Sequence, residues 1–450
     1  MVMKKKALVS IIIGVMLFSP VTVFANNSIN ANENSIIVES NTSSSESNIT
    51  LKYEKNEQRV LDNIPEIGCK AAYVVEPNTG KIIYEKNAHD KMYPASTTKI
   101  LTALLALEKC EPTDKAVVSK KALDLLQDGS SNAKLQVGEE LTISDLLYAL
   151  LIPSANEAAN VLAEHISGSV EEFANLCNNR AKELGCETLH FVNPNGLHDD
   201  NHYCSAYDLY LIAKECKKYE LFNEIVKTKT FTLPATNVYT KNDRTFKNTN
   251  ELIQPGSSTY FYSYCTGIKT GHTTPAGECL VASSSYNNID LISVVLGGKI
   301  NNKGLNERFY DTKKLFEFTY NNYSIKEITN KNDVLETINV KKATKDTNLL
   351  DVIVNTNIST IVPNNIDIET IDKTVNIYDN IVAPIKQNQV LGQVTFMVDG
   401  LNYTTDIVAS HPVKKIPYWL YNCIVATIII VIIILMKTLI KKSKRHSKKH

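Results

Sequence analysis

Tyr93–Cys110 reads YPASTTKILTALLALEKC. The run opens polar and then turns almost wholly apolar, the pattern of a helix enclosed on all sides. The positive end of a helix disfavours a cation, yet Lys99 falls in the first turn, three residues after Ser96. Ser-x-x-Glu there would be a capping box; Ser-x-x-Lys is not. Residues three apart share a helix face and can touch. A serine hydroxyl becomes a useful nucleophile only beside a base, and a lysine desolvated at a helix start loses basicity and can act as a neutral amine. The same four residues also fit a capping serine with a solvated lysine, and such short patterns arise by chance.

Two further motifs follow in order. LIPSANEAANVLAEHI (151–166) puts Ser154, Ala155 and Asn156 at a proline-marked loop before a helix. Ser154 is there either an ordinary N-cap or a proton relay, and Asn156 offers an amide to a substrate and to Lys99. Lys269-Thr270-Gly271 ends a β-rich run; its glycine permits close approach to a strand edge, and its lysine and threonine offer a cation and a hydroxyl to a carboxylate. Each tripeptide alone is weak. Ser-x-x-Lys, Ser-x-Asn and Lys-Thr-Gly in that order, each at a helix start, loop or strand end suited to its role, make a strong signal.

Around these motifs, AAYVVEPNTGKIIYEKNA (71–88) predicts a β-hairpin about Pro77–Gly80. Helical patterns cover Ile143–Leu151, Ala155–Ser167 and Val170–Leu184. YSYCTGIKTG, CLVASSSY and IDLISVVLGG predict a three-strand meander, and Asn306–Tyr320 a helix packing back on it. The fold class is therefore α+β, a helix-flanked antiparallel sheet. Short β-like runs separated by Asn and Asp turns then predict a small all-β domain.

Both ends carry membrane signals. Lys4, Lys5 and Lys6 precede an apolar run to Phe24, and Val23-Phe24-Ala25 suits cleavage, so 1–25 reads as a signal peptide, or failing cleavage an N-terminal anchor. Tyr418–Met436 holds no charge and is long enough to cross a bilayer, with Trp419 and Tyr421 at interface level. The tail 437–450 carries seven Lys or Arg and no acid, which predicts a cytoplasmic tail and an outward-facing body. The resulting division is a signal peptide over 1–25, a flexible Ser/Asn-rich linker over 26–55, an enzyme domain over 56–322, the β domain over 323–413, the span over 418–436 and the basic tail. Within 26–417 there are 38 basic and 48 acidic residues, so electrostatics gives no reason to bind nucleic acid. The nine cysteines include no CxxC pair. Most read as small buried apolar residues, although Cys265 and Cys279, flanking Lys-Thr-Gly, are candidates for a bridge that sequence alone cannot establish.

With PASTTKILTALLALE, PSANEAANVLAE, FVNPNGLHDDNHYCSAYDL and GIKTGHTTPAGECLVASS in view, the chain resembles the penicilloyl serine transferases. Within them it is most similar to the low-molecular-mass penicillin-binding proteins that are serine-type D-alanyl-D-alanine carboxypeptidases. The resemblance is strong from about Val60 to Tyr320 and weaker over the β domain, where APIKQNQVLGQVTFMVDG matches. It implies a β-lactamase/transpeptidase-like fold with five sheet strands and a site at the sheet edge. It further implies that Ser96 attacks the penultimate D-Ala carbonyl of a peptidoglycan stem, with Lys99 as base. Ser154 and Asn156 would assist proton transfer and position the acyl-enzyme; Lys269, Thr270, Gly271 and His272 would bind substrate, with the N–H groups of Ser96 and His272 as the oxyanion hole. No metal or cofactor is implied, and β-lactams would be covalent inhibitors. A β-lactamase shares the motifs, but no Glu-x-x-x-Asn element of the class A type follows Ser-x-Asn. An endopeptidase or transpeptidase, or a catalytically silent β-lactam or wall sensor, remains as an alternative. His198-Asp199-Asp200-Asn201-His202 imitates a metal cluster but lies in a loop of the family; Arg308 reads as a structural ion-pair partner and Glu157 as helix-start electrostatics.

Overall fold

In the computed structural model, which describes residues 35–39, 49–54 and 64–446, β-rich runs buried on both faces build the central sheet. Its strands are β1 (Ala71–Glu76), β2 (Lys81–Lys86), β3 (Cys265–Thr273), β4 (Gly277–Tyr286) and β5 (Ile289–Gly298). The spatial order is β2-β1-β5-β4-β3, every neighbour antiparallel. The β1–β2 turn forms because the Glu76 carboxylate accepts the N–H groups of Asn78 and Thr79 and the Thr79 hydroxyl, while Gly80 takes φ +77.

Alternate residues serve two cores. Ala71, Tyr73 and Val75 join one apolar cluster with Ile100, Leu101, Leu104 and Leu105; Ala72 and Val74 join another with Phe309, Leu315 and Phe316. The first is covered by a helical layer whose centre is α1 (Lys99–Lys109), buried without interruption from Lys99 to Ala106. It is apolar all round because Ile143–Leu151, α2 (Asn156–Ser167), Val170–Glu183 and α3 (Ala206–Cys216) surround it. Local signals set the starts of these helices: Thr142 with Asp145 and Ser205 with Asp208 are capping boxes. On the other face lies α4 (Glu307–Asn322), capped by Asn306. Its Asp311 carboxylate accepts the N–H groups of Gly68 and Cys69 at 2.9 Å each, fixing the entry to β1.

The strand runs after α4 form a second domain with its own core of Leu350, Val352, Val394, Phe396 and Ile407. Its main sheet has seven strands, and two of them come from the other end of the chain. Ser35–Glu39 pairs with Ile49–Glu54, which pairs with Asp372–Ile377. Within the stretch 26–55, expected as a flexible linker, the described residues are strands: the β-branched run ITLKYE adds to the open side of the second domain's sheet, and SIIVE pairs on it as the new edge. The expected signal peptide lies outside the described residues. Lys81 on β2 joins the two domains through the Asp399 carboxylate at 2.6 Å and its carbonyl at 3.0 Å.

The last helix runs from Tyr418 to His446, and within it Tyr421–Lys441 is, among the described residues, the one helix long and apolar enough to cross a membrane. Its 21 residues rise about 30 Å, the thickness of a hydrocarbon core. Cys265 and Cys279 are not bridged: on the β3–β4 ladder Cys279 faces Gly271 whereas Cys265 faces Ser284, at opposite ends. All nine thiols are free, and burial pushes up those of Cys69, Cys177, Cys204, Cys216, Cys265 and Cys279.

Candidate functional site

α1 does not begin as an α-helix. Ala95–Thr98 is a single 3-10 turn, and Lys99 is the first residue of α1. Side chains three apart eclipse one another in that geometry, which brings Lys99 Nζ to 3.0 Å from Ser96 Oγ. The turn is tightly held. Ala95 sits at φ +49, a left-handed conformation costly for a residue with a Cβ. The Thr97 hydroxyl donates to Pro94 O at 2.7 Å and the Thr98 hydroxyl to Ala95 O at 2.8 Å. Gly196 approaches so closely that a Cβ there would collide with the Ala95 carbonyl, and a Cβ on Gly271 would lie 2.8 Å from Pro94 O and 3.0 Å from Ser96 N. Glycine is required at both positions because the turn is wedged between a loop and the edge strand β3.

Lys99 is fully buried. Burial lowers its pKa well below the usual lysine range, the charge of Lys269 adds to this, and Glu157 opposes it. Its Nζ also lies 2.7 Å from Asn156 Oδ1 and 2.6 Å from Asn195 O. A neutral amine has two N–H bonds and one lone pair; the two acceptors take both N–H bonds, leaving the lone pair for the Ser96 hydroxyl. Glu157 is in the first turn of α2, as expected, but it is buried, and its Oε1 accepts the Ala133 N–H at 2.6 Å. Burial raises its pKa against the pull of those N–H groups and Lys99.

Ser154 is buried at φ +67, and its Oγ has no hydrogen-bond partner. It is therefore not an N-cap. Two residues on, the Asn156 N–H donates to Ser131 O at 2.9 Å, which seats the start of α2 beside the site. On β3, Lys269 is 1 % exposed; burial, then the nearby Arg308 cation, bring its pKa down to about 7. The Thr270 hydroxyl lies 2.6 Å from that of Thr249. His272 has an exposed imidazole paired with Glu278 at 2.9 Å.

Arg308 is the ion-pair partner the sequence suggested, 2.6 Å from Glu278, and it also donates to Gly271 O at 3.0 Å. The segment 198–202 divides: His198 packs edge-on to Tyr93 near Asp200, while His202 is buried with Nε2 at 2.8 Å from Thr98 Oγ1. Sequence reading missed Asn195, Thr249 and Gly196. Asn195 acts through its carbonyl, which any residue type carries, so only the Asn-Gly turn signal of Asn195-Gly196 hinted at it.

The chain matches the family model described as D-alanyl-D-alanine carboxypeptidase over residues 56–300, and the model described as penicillin-binding protein 5, C-terminal domain, over 323–415. It is similar to the D-alanyl-D-alanine carboxypeptidase DacF of Bacillus subtilis, with 34% identity over 352 residues covering 77% of this chain and 84% of that one. Among solved structures it resembles penicillin binding protein 5 from Haemophilus influenzae, at TM-score 0.60 and 27% identity over 78% of this chain and 99% of that one. It also resembles PBP3 from Streptococcus pneumoniae, a peptidoglycan synthesis regulatory factor, at TM-score 0.61 and 25% identity, covering 78% and 100%. Gly271→Ala is expected to displace the Ala95–Thr98 turn and slow reaction of Ser96 with an acylating probe by about tenfold or more, in a protein that still folds but melts at a lower temperature; an unchanged labelling rate would show that the wedge does not set the serine's position.

Proposed function

The chain belongs to the D-alanyl-D-alanine carboxypeptidase family of serine peptidases, and we propose that it removes the terminal D-Ala from peptidoglycan pentapeptide stems through an acyl-enzyme on Ser96. The observation that carries this is the buried amine of Lys99, whose two N–H bonds are taken up by Asn156 and Asn195 beside the Ser96 hydroxyl. Lys99 takes the Ser96 proton as Oγ attacks the penultimate D-Ala carbonyl. The oxyanion is met by the N–H groups of Ser96 and His272, a preorganised pair of the kind in which one donor is worth about 3 kcal/mol. Ser154, with its unpartnered hydroxyl, relays a proton to the departing D-Ala nitrogen. The Lys269 cation and the Thr270 hydroxyl hold the terminal carboxylate at the strand edge that Gly271 leaves open. Water then attacks the acyl-enzyme, Lys99, neutral again, takes a proton from the water and passes it to the departing Ser96 Oγ, and the shortened stem leaves with the serine hydroxyl and the neutral amine restored. A β-lactam, whose ring amide and carboxylate imitate the D-Ala-D-Ala end, acylates the same serine.

The helix Tyr418–His446 anchors the chain as a single membrane crossing, with the enzyme outside and the tail inside. Its apolar length and the run Lys437, Lys441, Lys442, Lys444, Arg445, Lys448 and Lys449 support this orientation.

The protein is expected to release D-Ala from a D-Ala-D-Ala-terminated peptide, and Ser96→Ala to abolish both this and covalent penicillin labelling. Labelling at another serine would overturn the assignment; slow labelling without D-Ala release would point to a sensor, and rapid penicillin turnover to a β-lactamase. A pH profile tests the two lysines. Activity falls on the acid side as Lys99 gains its proton, below the usual lysine range. It falls on the alkaline side as Lys269 loses its own, from about 7 in the free enzyme. Because a bound carboxylate stabilises the Lys269 cation, the alkaline limb of kcat should lie at higher pH than that of kcat/KM; coincident limbs would remove Lys269 from carboxylate binding. Protease added to intact cells should leave the basic tail uncut, and its digestion would reverse the proposed orientation.

A further inference from the structure

His202 is a buried imidazole, 2 % exposed, that the chemistry above does not use. Its ring stacks on Phe191 with centroids 4.5 Å apart and planes 4° from parallel. Its Nδ1 lies 3.1 Å from the Val192 N–H and accepts from it, so Nδ1 carries no proton. The ring hydrogen is then on Nε2, which points at Thr98 Oγ1 at 2.8 Å. The Thr98 hydroxyl has one hydrogen, and it goes to Ala95 O at 2.8 Å. The direction of every bond is fixed: Val192 N–H to His202, His202 to Thr98, Thr98 to the Ala95 carbonyl.

That carbonyl belongs to the same peptide unit as the Ser96 N–H. Donating to the oxygen of an amide draws electron density through the peptide and makes its N–H a better donor, and successive bonds in a chain reinforce one another. The same bonds hold the peptide plane, which follows a residue at φ +49 and fits against a notch that only Gly196 leaves. Burial brings the His202 pKa down to about 3, Asp199 opposing and His190, Lys99 and His198 adding to the effect, so the ring stays neutral and the relay keeps one direction at working pH.

We propose that His202 is a positioning residue for acylation: through Thr98 it fixes and polarises the Ala95–Ser96 peptide, strengthening the Ser96 N–H where the oxyanion forms. The inference rests on the acyl-enzyme reading above. Because the oxyanion exists only after attack, its loss appears in the acylation rate and not in prior binding. His202→Phe keeps a ring on Phe191 and removes both hydrogen bonds. His202→Gln restores an acceptor and a donor on one side chain.

The test uses the full-length protein in detergent and a labelled penicillin. Wild-type labelling at Ser96 comes first; its failure defeats the acyl-enzyme reading before His202 is at issue. His202→Phe is then expected to acylate Ser96 about tenfold to a hundredfold more slowly, short of the loss for removing a whole oxyanion donor. Its non-covalent dissociation constant should change less than about twofold, with the same final stoichiometry, and His202→Gln should recover most of the rate. Thr98→Val should slow acylation similarly, and on that background His202→Phe should add nothing. The proposal is overturned if His202→Phe acylates at the wild-type rate, or if its slowing matches a loss of titratable protein or of binding. It is equally overturned if His202→Gln is as slow as His202→Phe, and, should His202→Phe not fold, by Thr98→Val acylating at the wild-type rate.

Discussion

The structure turns on a lysine amine kept in a place where an ammonium is unwelcome. A cation buried at the positive end of a helix and near a second lysine is disfavoured three times over, by desolvation, by the helix dipole and by like charge. The molecule does not relieve this by pairing Lys99 with a carboxylate. It supplies two neutral oxygens, from Asn156 and from the Asn195 backbone, which suit an amine without asking it to be charged. Glu157 is close enough to matter electrostatically, yet its Oε1 is engaged by backbone N–H groups. The second lysine experiences the same burial without such acceptors around it, its one hydrogen bond going to the Thr270 carbonyl.

Much of the rest serves that arrangement. α1 is enclosed on every side, so its first residue cannot move away from the sheet edge. The 3-10 turn, the left-handed Ala95 and the two close glycines set Ser96 at a distance that an ordinary capped α-helix start would not give. Thr142 and Ser205 use their side chains to cap; Ser96 and Ser154 do not, and in the chemistry proposed here the first is the nucleophile and the second a proton relay.

The legible features were local ones. Ser96 and Lys99 are three apart, the β1–β2 turn lies within four residues, and the start of Ile143–Leu151 is set by a capping box, so each could be read where it stands. The central sheet was legible because its strands are β-rich runs marked off by Gly, Pro or Asn turns. What escaped was brought in from a distance. Asn195 meets Lys99 across 96 positions, and His202 meets Thr98 across 104; neither residue type announces such a contact. The Cys265–Cys279 suggestion failed because closeness in sequence around a motif says nothing about ladder register. The stretch 26–55 reads as a tether by its Ser and Asn content, and a sheet edge more than 300 positions away makes two strands of it.

The joint between the β domain and the apolar helix carries a consequence for reach. Ile416 still donates to the Lys342 carbonyl at 3.0 Å, and Val413 exchanges hydrogen bonds with Ile385, so the folded β domain runs to within a single proline of Tyr418. At the other end α4 runs to Asn322 and the first strand after it begins at Tyr323, so no slack length of chain separates the apolar helix from the enzyme domain. In the anchored arrangement proposed above, the β domain would work as a spacer of fixed height. How far above the bilayer a stem must lie to be trimmed would then be set by folded structure, and stems nearer or farther would fall outside a narrow layer of the wall.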